Sequence, residues 1–254
     1  MSATMMHTYW NTPYVLLSIV IAIITSYLGL ELARRFNRMG KTAAALVLGT
    51  VLGYGIWAMH FIGMLAMQLS TNVAYGLPLT LLSGVSAVAF LIAASLLLSR
   101  GTPTIPRILT SGVIAGAGIL LMHYLGMAAI TVNATPHYLA LPFALSVLIA
   151  VGAASVAFYL FSRVMTADLT RQVRTVVQIG AALVMGTAIA GMHYTGMAAV
   201  QYLPAAVNAS VVAGVDPQNL FFLVLGLTLL VFVLTSTFIF VEASTNKPFN
   251  PAGD

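Results

Sequence analysis

"GYGIWAMHFIGM" (residues 53–64) lies inside a long apolar run, and the chain writes it twice more, as "GAGILLMHYLGM" (116–127) and "GTAIAGMHYTGM" (186–197). Around His60, His123 and His193 the same residue types recur at the same offsets. Gly53, Gly116 and Gly186 stand seven places before; Ile56, Ile119 and Ile189 stand four before; Met59, Met122 and Met192 stand one before. Gly63, Gly126 and Gly196 follow three places after, Met64, Met127 and Met197 four after, and Ala66, Ala129 and Ala199 six after. On a helix of 3.6 residues per turn, the glycine at minus seven, the isoleucine, the histidine and the second methionine fall on one stripe. A histidine facing lipid is costly, so the stripe is expected to face the bundle interior. The glycines at both positions are expected to let neighbouring helices approach. Gly49/Gly53 and Gly112/Gly116 add GxxxG spacing, and the third copy has Ala182/Gly186.

Working outward from the repeat, 60% of the 254 residues are hydrophobic and 6% are charged, with a mean hydropathy of +1.01. Soluble domains carry about a quarter charged residues, so the chain is an integral membrane protein. Seven segments reach the roughly 20 apolar residues that a bilayer core requires: 13–33, 43–67, 78–98, 108–131, 141–162, 175–200 and 219–241. Such uninterrupted runs are helices and not barrel strands. The expected fold is therefore all-α, with seven transmembrane helices arranged as three pseudo-repeated helical hairpins plus a seventh helix. Residues 1–241 form the membrane domain and 242–254 a short tail.

Charge sets the orientation. All ten Lys and Arg residues (Arg34, Arg35, Arg38, Lys41, Arg100, Arg107, Arg163, Arg171, Arg174 and Lys247) fall on one side of the seven spans. By the positive-inside rule the N-terminus is outside and the C-terminus cytoplasmic. The net charge of +5 thus reflects topology, and no nucleic-acid partner is expected. Tyr9, Trp10, Tyr14, Tyr75, Tyr138 and Tyr202 lie near the outer boundary as an aromatic belt would. Glu31 and Glu242, near the cytoplasmic ends, and Asp168, three residues from Arg171, read as interfacial charges. The N-terminus has no basic region or small-residue cleavage site, so no cleaved signal peptide is expected.

The three histidines share a depth as well as a face. Gln68, Thr131 and Gln201 each follow eight residues later, which puts every histidine roughly 12 Å below the outer helix end. Three imidazoles on one face and at one level can converge. With no cysteine in the chain, the remaining soft ligand is the methionine thioether, which together with imidazole favours copper, above all Cu(I). His60/Met64, His123/Met127 and His193/Met197 are pairs four residues apart, neighbours on a helical face. Zinc fits less well without thiolate or carboxylate. Bis-histidine haem fits poorly, since each helix offers one histidine. His7 and His137 lie in outer segments, where solvated loop histidines are the default and a role as entry ligands stays open. A copper transporter would need a ligand trail across the membrane. Below the histidines spans two, four and six offer only Met185, so transport ranks low. A membrane copper oxidoreductase acting on a small or lipid-soluble substrate is the alternative, although no acid–base group is visible to support catalysis.

The seven-span, N-out layout with Met-His-Tyr-Thr near the outer part of alternate helices resembles the MHYT-domain family, over nearly the whole chain. The opening "YVLLSIVIAIITSYLGLELARRF" (14–36) is similar to that family's first span. The resemblance implies a sensor module of the bacterial cytoplasmic membrane that holds one or two copper ions near the outer face and detects oxygen, carbon monoxide, nitric oxide or redox state. It implies His60, His123 and His193 with Met59, Met122 and Met192 as the core of the site. Tyr124 and Tyr194 match the family's tyrosine, but Phe61 replaces it in the first copy. A tyrosine ligand from all three helices is thereby excluded, and the tyrosines are expected to shape or hydrogen-bond the site. Many family members carry cytoplasmic output domains for cyclic di-GMP turnover. The remaining "EASTNKPFNPAGD" (242–254) is too short for one, so the sequence fits a freestanding member with a cytoplasmic signalling partner or one whose output domain lies beyond it.

Overall fold

The computed structural model describes residues 8–35, 40–166, 170–204 and 213–245. His7, Arg38, Asp168 and Lys247 lie outside them. Each of the seven expected spans is a helix: α1 (Thr12–Ala33), α2 (Lys41–Ala66), α3 (Leu77–Ser99), α4 (Ile105–Ala128), α5 (Ala140–Thr166), α6 (Arg171–Ala198) and α7 (Pro217–Thr245). All seven are long and apolar enough to cross a membrane. Local chemistry fixes several starts. Asn11 accepts a hydrogen bond from the Tyr14 amide at 3.3 Å, and proline occupies the first turn of α1, α3 and α4. At α7, Asp216 Oδ1 accepts from the amides of Gln218 and Asn219.

The helices α4 and α6 stop short of their expected ends, because the chain turns there into strands. Six short strands pair antiparallel: β1 (Thr8–Trp10) with β2 (Met67–Leu69), β3 (Val73–Tyr75) with β4 (Ile130–Val132), and β5 (Ala134–Tyr138) with β6 (Val200–Pro204). The rule repeats. A strand entering each hairpin's first helix pairs with the strand leaving its second, so the hairpin closes on itself and caps the end opposite the basic residues.

Helices α1 to α6 pack in chain order into a closed ring, with α6 returning to α1. The glycines seven before each histidine make this packing possible, although they do not face the centre as their stripe implied. A Cβ on Gly53 would fall on the backbone of Val88 in α3, one on Gly116 on Val151 in α5, and one on Gly186 on Ile23 in α1. Each thus seats its helix against the first helix of the next hairpin, the third against the first. Gly49 and Gly112 meet Ile92 and Ser155 in the same way. Helix α7 lies outside the ring against α2 and α1 and leaves most of its surface exposed.

At the basic end, Glu31 and Glu242 are not solvated interfacial charges. Their side chains are only 13% and 12% exposed, and both pair with Arg35. Arg35 Nε donates to Glu242 at 2.8 Å, while Glu31 Oε2 accepts from Arg34 and from Gln178 Nε2, each at 2.8 Å. Among the described residues two carboxylates meet two guanidiniums here, and the cluster ties α1, α6 and α7 together.

Replacing Gly53 by valine is expected to destabilise the ring by about 1–3 kcal/mol, the range for overpacking a tight contact. Thermal unfolding in detergent checks this. A Gly53→Val protein as stable as the parent would mean that α2 and α3 are not in backbone contact.

Candidate metal centre

His60, His123 and His193 project from α2, α4 and α6 into the middle of the ring, and each is 1% exposed or less. Their Nδ1 atoms converge: His60 lies 3.0 Å from His193 and 3.1 Å from His123. The rings meet edge to face. No other group of three potential metal ligands occurs among the described residues.

The second glycine of each motif explains how a ring fits here. These glycines were expected to bring helices together; instead each receives an imidazole. A Cβ on Gly126 would overlap His60 Nε2, one on Gly196 would overlap His123 Nε2, and one on Gly63 would overlap His193 Nε2. The three contacts form a cycle, with every histidine lodged against the glycine of another copy. The Nε2 atoms have no well-formed hydrogen bond.

Burial of three imidazoles with converging nitrogens requires something to satisfy them. A neutral imidazole has one N–H and one in-plane lone pair. His60 Nδ1 faces two other Nδ1 atoms, and a single proton or lone pair cannot serve both contacts well. If all three rings hold their protons on Nε2, three lone pairs point at one another. A cation at the centre removes that repulsion. Metal–nitrogen bonds of about 2.0 Å to three ligands set the nitrogens roughly 3.3 Å apart; the two contacts of His60 Nδ1 lie close to that, and the ligand atoms of all three rings fall within 4.8 Å of one another. The donor set therefore fits a metal ion held by Nδ1 atoms.

The tyrosines brace the site from outside. Tyr194 Oη bonds Ser18 Oγ of α1 and Tyr124 Oη bonds Ser146 Oγ of α5, both at 2.7 Å. Each serine in turn donates to the carbonyl three residues back, Val15 or Phe143. In the first copy, Phe61 has no hydroxyl, and Trp57 Nε1 donates instead to Ser83 Oγ and the Thr80 carbonyl, both at 3.1 Å. Ser18, Ser83 and Ser146 were not singled out in the sequence, because their spacing becomes visible only once the tyrosines identify them. Met59, Met64, Met122, Met127, Met192 and Met197 are all buried, at 4% exposure or less. His137 is exposed on β5 opposite Gln201 and does not join the triad. Over the site, burial raises the phenols of Tyr75 and Tyr202 above their ordinary range, so the strand cap adds no charge there.

Comparison with known proteins follows the same repeat. A family model described as bacterial signalling protein N-terminal repeat, MHYT, matches residues 1–47, 53–111 and 116–173. The chain is 38% identical over 233 residues to the bifunctional diguanylate cyclase/cyclic di-GMP phosphodiesterase MucR of Pseudomonas aeruginosa, covering 91% of this chain and 34% of that protein. It is 35% identical to the signalling protein YkoW of Bacillus subtilis, over 77% of this chain and 25% of YkoW. It is 36% identical to the cyclic di-GMP phosphodiesterase NbdA of P. aeruginosa, over 83% of this chain and 27% of NbdA. The chain thus spans about a third or less of these relatives. No solved structure matches it.

A methyl group at Gly126 is expected to push the His60 ring from its seat and lower the unfolding temperature by several degrees. Gly191→Ala, immediately before Met192 and with nothing within 4 Å of the added carbon, is expected to be silent. Equal melting temperatures for the two variants would show that the glycine does not seat the histidine.

Proposed function

The chain belongs to the MHYT family of bacterial signalling-protein repeats, and from that premise we propose that it is a membrane sensor whose triad of His60, His123 and His193 binds copper. The observation that carries the reading is the convergence of three imidazoles, one from each repeat, at a buried centre. No carboxylate stands at the triad among the described residues, so a bound ion keeps its charge. A monovalent ion is cheaper to bury in that setting than a divalent one, and soft Cu(I) is well served by imidazoles flanked by thioethers. Of the six motif methionines, Met64, Met127 and Met197 lie one turn from the histidines on the same stripe and are proposed as further ligands. Met59, Met122 and Met192 complete the sulfur-rich surround. One or two ions are accommodated in this reading.

When bound, copper would supply an open coordination position for a diatomic gas or a change of oxidation state. The protein's own part is to hold the three imidazoles at fixed separation, exclude water and register a change among α2, α4 and α6. With the basic end in the cytoplasm, the triad lies nearer the outer face of a bacterial cytoplasmic membrane. Helix α6 carries His193 and, at its other end, Gln178, which bonds Glu31 in the cluster that also binds Glu242 of α7. Rearrangement at the triad would reach α7 through that cluster and, beyond it, a cytoplasmic signalling partner. Signalling is favoured over transport by the apolar space beneath the triad, where Leu52, Ile56, Ala115 and Ile119 offer an ion no ligand and the thioethers of Met185 and Met192, both on α6, make no trail across the membrane. YkoW is a signalling protein by name, MucR and NbdA are cyclic di-GMP enzymes by name, and all three extend well beyond the matched segment, consistent with a sensory role for that segment.

Purified without a chelating tag and treated with Cu(I), the protein is expected to hold near-stoichiometric copper by mass spectrometry. The triple variant His60→Ala, His123→Ala, His193→Ala should lose it, and the exposed His137→Ala should not. Copper retained equally by the triple variant would return the histidines to a packing role.

A further inference from the structure

The three copies of the repeat are internal controls for one another, and at one place the third departs from the other two. Seven residues beyond the bracing serines Ser18, Ser83 and Ser146 stand Thr25, Phe90 and Ala153. In the first hairpin, Thr25 fills the seam between α1 and α2, packing where a Cβ on Gly55 would lie; in the second, Phe90 fills the seam between α3 and α4 against Gly118. In the third the corresponding pair is Ala153 and Ala188, which sets only two methyl groups at that level of the seam between α5 and α6.

A cavity lies at that seam. It is lined by Ala153, Ala157 and Phe158 of α5, by Met185, Ile189 and Met192 of α6, and by apolar residues of α2, α3 and α4. About 30 Å³ of it is open to the centre of a water-sized sphere, where roughly 10–15 Å³ admits one. With no polar side chain to anchor water, such a space stays dry. Its inner end is set by Ile56, Ile119 and Ile189, one turn from each histidine, and by Met192, the neighbour of His193. Its outer end is the seam. Ala153, Ala157 and Ile189 are partly exposed, whereas the equivalent Ile56 and Ile119 are buried at 3% and 7%.

We propose that this cavity is a binding chamber for a small apolar molecule, of the size of a diatomic gas, which enters from the bilayer between α5 and α6. Apolar solutes concentrate in lipid, and the seam faces lipid at the depth of the apolar span. The chamber brings such a solute to the inner side of the triad without crossing the strand cap. The nature of the guest rests on the sensor reading; the existence of the chamber does not.

Xenon tests the chamber without copper. Crystals of the full metal-free chain under xenon pressure are expected to show an anomalous peak among Ala153, Phe158 and Ile189. Two variants should abolish it while melting like the parent: Ala153→Phe combined with Ala188→Gly, which copies the second hairpin's plug, and the milder Ala157→Leu. No peak in the parent, or a peak that persists in both variants, overturns the proposal. In copper-loaded protein, rebinding of carbon monoxide after photolysis is expected to slow at least about fivefold in the same variants. Unchanged rates would show that the gas reaches the triad by another route. Because the xenon peak is read without metal, failure of the copper assignment and failure of the chamber give different results.

Discussion

Everything in this bundle answers to the burial of three imidazoles at one point in a membrane interior. A polar ring there must find partners and room. The structure supplies room by setting each ring against a glycine of another repeat, and gathers the Nδ1 atoms of His193 and His123 about that of His60, where one central cation would satisfy all three. Both devices need three helices at once. No single copy of the motif seats its own histidine, so the repeat is a condition of the site and not merely a record of duplication.

The same cyclic logic runs through the rest of the molecule. Gly53, Gly116 and Gly186 each dock their helix on the following hairpin, the third closing onto the first. Tyr124 and Tyr194 tie their helices to serines of a neighbouring hairpin, and Trp57 makes the corresponding bond where Phe61 lacks a hydroxyl. The strand pairs close each hairpin over the triad. Helix α7 stands outside the cycle, held by the Arg35–Glu242 pair at one end and by Tyr54, whose hydroxyl lies 3.3 Å from Thr228, in the middle. A helix with little packing and one buried ion pair is the part of such a bundle whose position is most readily biased by a shift among the others.

Departures from the cycle are informative because the other copies show what a filled position looks like. Phe61 in place of tyrosine is compensated by a residue four places away on the same helix. Ala153 in place of Thr25 or Phe90 is not compensated, and space remains. In a densely packed interior, a gap at one of three equivalent seams stands out in a way that a gap in an irregular protein would not.

Hydropathy and charge placement by themselves determined seven helices and their common orientation, since bilayer thickness and the cost of an unpaired backbone leave few alternatives. The matched offsets determined that His60, His123 and His193 share a face and a level. What the tertiary structure decided is where each repeated residue points across helix boundaries. The minus-seven glycines face the adjacent hairpin and the plus-three glycines face histidines, because a stripe read on one helix carries no information about which neighbour lies beside it. The six strands, three to five residues long, were illegible because their partners lie a whole hairpin away in the chain. Glu31 and Glu242 read as interfacial charges, and their pairing was illegible for the same reason. Burial is a property of the assembled bundle, and only the arrival of Arg35 and Gln178 beside them makes it tolerable.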